Sequence, residues 1–140
     1  MSDDPARAKN PKIKNPEVVW PDLSYQIVGI LFDVYNSIGY GHLERVYQKA
    51  VAEALRVKKL TFKEQVAAPV TYQGKTVGKN YLDFVIEDKV VLELKQGERF
   101  LRGNIDQVNS YLKATGLMLA ILANFTPQGV LFKRMVNLHS

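Results

Sequence analysis

Apolar residues recur at helical spacing early in the chain and at strand spacing later. Ile27, Ile30, Leu31 and Val34 fall on one stripe of a 3.6-residue repeat. Pro21 suits a helix entrance and Gly39 a helix end, so the spacing predicts a helix over 22–38. Tyr40-Gly41-His42 reads as a short turn, and Tyr47, Val51, Ala54 and Leu55 predict a second helix over 43–58. From Thr61 the period shortens. Val66, Ala68 and Val70 alternate into Tyr72, and the Gln73-Gly74-Lys75 turn separates this first strand from a second over 77–86. Glu87-Asp88-Lys89 joins it to a third strand over 90–95. A helix over 103–115 ends near Gly116, and two strands over 117–123 and 130–136 flank the turn Thr126-Pro127-Gln128-Gly129. The order helix, helix, three strands, helix, two strands is that of an α/β domain, a central mixed β-sheet flanked by helices.

Composition sets bounds on this picture. At 140 residues the chain has room for one domain, and its hydrophobic share of 46% supports a core without staples. Residues 1–20 carry Arg7, Lys9, Lys12 and Lys14 among three prolines and read as a flexible basic N-terminal arm, which leaves 21–140 as the folded domain. There is no internal repeat. With no cysteine, disulfides and thiolate metal sites are excluded, which fits a cytoplasmic location. No apolar run reaches the roughly 18 residues of a membrane helix, so no membrane partner is expected. The formal charge of +5 permits a polyanionic partner without requiring one.

The second and third strands hold the residues with chemical interest. Alternation places Leu82, Phe84 and Ile86 on one face and Tyr81, Asp83 and Val85 on the other; on the next strand Val91, Glu93 and Lys95 oppose Val90, Leu92 and Leu94. Charges set among apolar neighbours are costly unless paired or bound to metal. One reading is an ion pair of Glu93 with Lys95 on the solvent side of an edge strand. The other is a pair of converging carboxylates whose repulsion a divalent cation removes, with Lys95 beside it. Convergence requires Asp83 and Glu93 to share a face, hence a loop of odd length with Ile86 opposite Val90. In the second helix Gly41, Glu44 and Tyr47 form G-x-x-E-x-x-Y, and Glu44 shares a stripe with Tyr47, Val51 and Ala54. The helix dipole alone is a sufficient reason for an acid in that first turn. Gln107 and Tyr111 lie four apart on the third helix, where a solvated polar pair is the plainer account. His42 and His139 have no partner at ligand spacing, and Trp20, Tyr25, Phe32 and Tyr35 read as core or interface.

Taken together these motifs resemble the GxxExxY family of the PD-(D/E)XK nuclease superfamily. Gly41, Glu44 and Tyr47, then Asp83 within 81–87, Glu93 and Lys95 within 91–95, Gln107 and Tyr111, and finally Asn124-Phe125 appear in that family's order and span about 25–136. The resemblance implies a restriction-endonuclease-like core and metal-dependent phosphodiester hydrolysis, with DNA the favoured substrate. It implies that Asp83 and Glu93 bind Mg²⁺ or Mn²⁺ with the Leu94 backbone carbonyl. By the same resemblance Glu44 supplements the site, directly or through water, and Lys95 is the catalytic lysine. Tyr47, Gln107 and Tyr111 are implied to line the nucleic-acid cleft. One departure is that no proline precedes the acid. Two rival readings remain: a non-catalytic nucleic-acid or protein binding module on the same fold, and a structural homo-oligomer using aromatics such as Phe100 and Phe132.

Overall fold

Pro21 opens the first helix because its fixed φ and missing N–H suit that position. In the computed structural model, which describes residues 19–97, 100 and 102–137, α1 spans Pro21–Ile38 and α2 spans Glu44–Val57. The strands and third helix follow as β1 Phe62–Tyr72, β2 Lys75–Ile86, β3 Val90–Gln96, α3 Arg102–Thr115, β4 Leu119–Thr126 and β5 Gly129–Val136. The basic arm predicted over 1–20, apart from Val19 and Trp20, and His139 lie outside the described residues. No helix among the described residues is long and apolar enough to cross a membrane.

The five strands form one sheet in the order β1-β2-β3-β4-β5. All neighbours are antiparallel except β3 and β4, which run parallel and are joined through α3, as a parallel pair requires a crossover. The sheet is therefore mixed, as the element order predicts. Burial of Leu119, Ala120, Ile121, Leu122 and Ala123 in succession marks β4 as a strand covered on both faces. On one face α1 and α2 pack Ile27, Ile30, Leu31, Val51 and Leu55 against Phe84, Ile86, Leu92 and Ile121. On the other, Val108 and Leu112 of α3 meet Val85, Val91, Ala120 and Leu122. Each fully buried aliphatic side chain contributes about 1.5–3 kcal/mol.

Turn chemistry sets the strand ends. Gln73 and Gly74 both have positive φ, 49° and 77°, so they close a two-residue hairpin and β2 begins at Lys75, two residues earlier than the pattern predicts. β4 starts and stops later than predicted, because its pairing with β3 continues to Phe125 and with β5 to Thr126. Between β2 and β3 the loop is Glu87-Asp88-Lys89, with Ile86 opposite Val90, Val85 opposite Val91 and Phe84 opposite Leu92. That is the odd register needed for Asp83 and Glu93 to converge.

Two expectations need correction. Leu82 does not share a face with Phe84 and Ile86; it packs with Ala68, Val85 and Val91 on the α3 side. The ladder explains why: Glu64 pairs with Phe84 and Val66 with Leu82, but no rung joins Gln65 to Asp83, and Gln65 takes φ 49°. Alternation is broken there, although the register is the same on either side of the missing rung. Tyr47, expected at a cleft, is wholly buried. Its ring stacks on Phe125 with centroids 4.2 Å apart, and its hydroxyl donates to the Gly39 carbonyl at 2.6 Å. It ties α2 to the end of α1, where Gly39 and Gly41 adopt φ 72° and 106°.

The Tyr47 hydroxyl therefore serves stability. Tyr47→Phe should lower the melting temperature by a few degrees, about 1–2 kcal/mol for a buried carbonyl left without its donor. Nucleic-acid affinity should not change. A loss of affinity at unchanged melting temperature would return Tyr47 to the cleft.

Candidate active site

The break in the β2 ladder leaves backbone groups that need partners, and the acidic side chains supply them. Beyond the Phe84–Leu92 rung, the Asp83 amide N–H donates to the Glu93 carboxylate, and the Leu94 amide donates to Asp83 Oδ2 at 2.7 Å. The two carboxylates thus cross-link diverging strands, each accepting from the other strand's backbone. Asp83 Oδ1 accepts from the Gln48 side-chain amide of α2 at 2.7 Å, and Gln65 also donates to the Asp83 carboxylate. Asp83 is 7% exposed, and Glu93 is half-buried.

Burial and crowding shift both groups strongly. Burial pushes the Asp83 carboxyl up to about 6, and Glu44 adds to it, although the Leu94 amide and the two glutamines work the other way. Glu93 rises to about 8, through burial first and then repulsion by Asp83, with a smaller push from Glu44 and relief from the Asp83 amide and Lys95. Glu44 opens α2, half-buried, and its charge raises both acids without joining them in a three-carboxylate group among the described residues. It also sits where the helix dipole favours an acid. Lys95 lies two residues beyond Glu93 on β3, opposite Asn124 of β4. Among the described residues its ammonium forms no ion pair within 4 Å, so the surface Glu93–Lys95 bridge is not what holds it.

A divalent cation is what such a donor set suits. The ligating atoms at hand among the described residues are carboxylate oxygens, the hard donors that Mg²⁺ and Mn²⁺ take. Among the described residues no three His, Cys, Asp or Glu side chains come together as an ion cage. Mg²⁺ commonly completes its shell with backbone, water and substrate oxygens.

Gln107 and Tyr111 lie elsewhere. They line a groove of about 520 Å³ between α3 and the outer part of β1 and β2, together with Ala68, Pro69, Val70 and Asn80. None of Glu44, Asp83, Glu93 and Lys95 lines it. The Gln107 Nε2 is buried there without a hydrogen-bond partner, a donor that an acceptor on a ligand would satisfy. His42 caps α1, its Nε2 2.7 Å from the Ile38 carbonyl, and packs edge-on against Tyr47. Phe100 is partly buried against the α3-side core, whereas Phe132 meets Phe32 edge-to-face near the surface.

Sequence reasoning missed Gln48 and Gln65. Gln48 carried a signal: it lies four residues after Glu44 and so shares its side of the helix. Gln65 carried none, since its approach to Asp83 depends on a left-handed residue inside a strand.

A family model described as the PD-(D/E)XK nuclease superfamily matches residues 21–135. The crystal structure of SSO0001 superposes with a TM-score of 0.51 at 14% identity, over 83% of this chain and 59% of that one, a likeness of fold. No curated protein matches the sequence. A sheet split at Asp83 and Glu93, followed by Lys95, thus sits inside a match to residues 21–135, and the chain belongs to the PD-(D/E)XK nuclease superfamily.

Proposed function

We propose that the protein hydrolyses phosphodiester bonds in nucleic acid, DNA in preference, with Mg²⁺ or Mn²⁺ held by Asp83 and Glu93, and that it is of the GxxExxY type. The observation carrying this reading is the pair of carboxylates at the strand split, Asp83 buried and Glu93 half-buried, each accepting from the other strand's backbone and both pushed up in pKa. Two acids held in mutual repulsion are costly to the fold, and a cation is the partner that offsets the cost. The Leu94 carbonyl would be a further ligand, with Glu44 assisting directly or through water. When bound, the ion supplies Lewis-acid charge at the phosphate and lowers the pKa of water. Lys95 orients the attacking water and offsets charge that builds on the pentacovalent phosphorus. Gln48 and Gln65 hold the Asp83 carboxylate in place. Gln107 and Tyr111 would line the path of the substrate in the groove beside α3.

The reading predicts a contrast between two variants. Asp83→Asn should lose both Mn²⁺ binding, measured by calorimetry, and cleavage of a panel of duplex, single-stranded, branched and RNA substrates. Lys95→Ala should bind Mn²⁺ nearly as the parent does yet cut about 100–1,000-fold more slowly, the usual cost of one transition-state donor. Lys95→Ala cutting as fast as the parent would remove the lysine from the mechanism. A parent that cuts nothing with any divalent ion would leave the binding-module reading in its place.

The raised carboxyls also set a pH dependence. A carboxyl whose folded pKa lies above its unfolded value stabilises the fold while protonated, and that stability is lost as pH rises through the folded pKa. With Asp83 at about 6 and Glu93 at about 8, the metal-free protein should lose stability between about pH 4 and pH 8. Glu93→Gln should melt a few degrees above the parent at pH 8 and level with it at pH 4. Added Mg²⁺ should raise the parent's melting temperature more at pH 8 than at pH 5, because protons and metal compete for the same oxygens. A parent melting temperature independent of pH across this range, with or without Mg²⁺, would contradict the coupling.

A further inference from the structure

Beyond Asp83 the β1–β2 hairpin runs on as a two-stranded ribbon in which every residue from 69 to 81 is exposed. A ribbon that buries so little is marginal by itself and adds little to the core. Its composition is one-sided. Residues 65–82 contain no Asp or Glu, yet they carry Lys75 and Lys79 and two tyrosines, Tyr72 and Tyr81, that are 65% and 55% exposed.

The register assigns these residues to faces. Leu82 packs toward α3, and Asn80 and Val70 line the groove against that helix, so alternation turns Tyr81 and Lys79 the other way. That is the face from which α2 presents Gln48 to Asp83. At about 3.4 Å per residue, Tyr81 lies about 7 Å and Lys79 about 14 Å along β2 from Asp83, with Lys75 at the tip about 27 Å away. An aromatic ring and then an ammonium thus lead outward from the acids in a single line.

We propose that this ribbon is a nucleic-acid-binding arm, which holds the substrate strand as it leaves the scissile phosphate; the proposal rests on the nuclease reading above. Lys79 and Lys75 pair with backbone phosphates, and Tyr81 stacks on a base. The α3 wall of the neighbouring groove is less suited to this task, because Asp106 lines it and lies 3.9 Å from Arg102. A second copy of the chain fits the ribbon poorly. Pro69 lacks the N–H that edge pairing needs, the ladder shifts register between Val70 and Thr71, and two lysine-bearing ribbons repel one another.

The test is fluorescence anisotropy with a labelled 20-nucleotide single strand and its duplex, in Ca²⁺, across a range of salt. Lys75→Gln/Lys79→Gln should weaken binding about tenfold or more at low salt. The slope of log K against log salt should fall by about 1.4 for the single strand and about 1.8 for the duplex. Tyr81→Ala should weaken single-strand binding about tenfold, since base stacking is lost. Lys58→Gln/Lys133→Gln, equal in charge and placed on α2's end and the far edge strand, should bind as the parent does. Because the ribbon packs little, the arm variants should melt with the parent, and such melts exclude misfolding as the cause of weak binding. Arm variants with the parent's affinity and salt slope, beside a parent that cuts, would overturn the arm and leave the nuclease reading intact. A parent that binds through the arm but does not cut would support the arm and remove the nuclease reading. A parent that neither binds nor cuts would overturn both.

Discussion

The structure depends on what happens to the backbone where β2 loses its rungs. At Asp83 the ladder fails on both sides, to Gln65 of β1 and to Glu93 of β3. An amide left without an acceptor inside a protein costs about 1–3 kcal/mol. Here the acceptors are carboxylates: Glu93 takes the Asp83 amide and Asp83 takes the Leu94 amide. The same two acids therefore hold diverging strands together and repel each other at close range. Stitching makes the acids necessary to the fold, and repulsion makes a cation welcome.

The rest of the architecture serves this point. The three-residue loop Glu87-Asp88-Lys89 sets the register that brings the acids level, and Glu87 anchors it by accepting from the Thr61 backbone and hydroxyl at 2.6 and 2.7 Å. The Gly39–Gly41 turn, tied by the Tyr47 hydroxyl, aims the first turn of α2 at the split. From that helix Gln48 reaches Asp83, and Glu44 stands in its first turn, where the helix dipole favours an acid. The parallel pairing of β3 with β4 buries the strand that carries Glu93 and Lys95, so those side chains are held on a rigid element.

Much of this was legible in the chain. Apolar periodicity located all eight elements, because both the helices and the inner strands bury one clear face. The odd three-residue loop and the register of β2 against β3, Ile86 opposite Val90, were among the legible features. Three features were not legible, each for a physical reason. Leu82 changes face because Gln65 takes a left-handed conformation, and a non-glycine residue gives no local sign of that. Tyr47 belongs to a recognisable motif but is buried by Phe125, a contact 78 positions away that local pattern does not reveal. Gln107 and Tyr111 share a helix face, yet which groove they enter depends on how far the β1–β2 ribbon extends.

Whether Asp83 and Glu93 share one divalent ion decides the chemistry of the strand split. Anomalous diffraction from crystals soaked in Mn²⁺ measures this directly. The predicted result is a single strong peak within coordination distance of both carboxylates, about 2.0–2.1 Å for the Mg²⁺ it replaces, and adjoining the Leu94 carbonyl. A peak bound elsewhere, or no peak at a saturating concentration and pH 8, would contradict it.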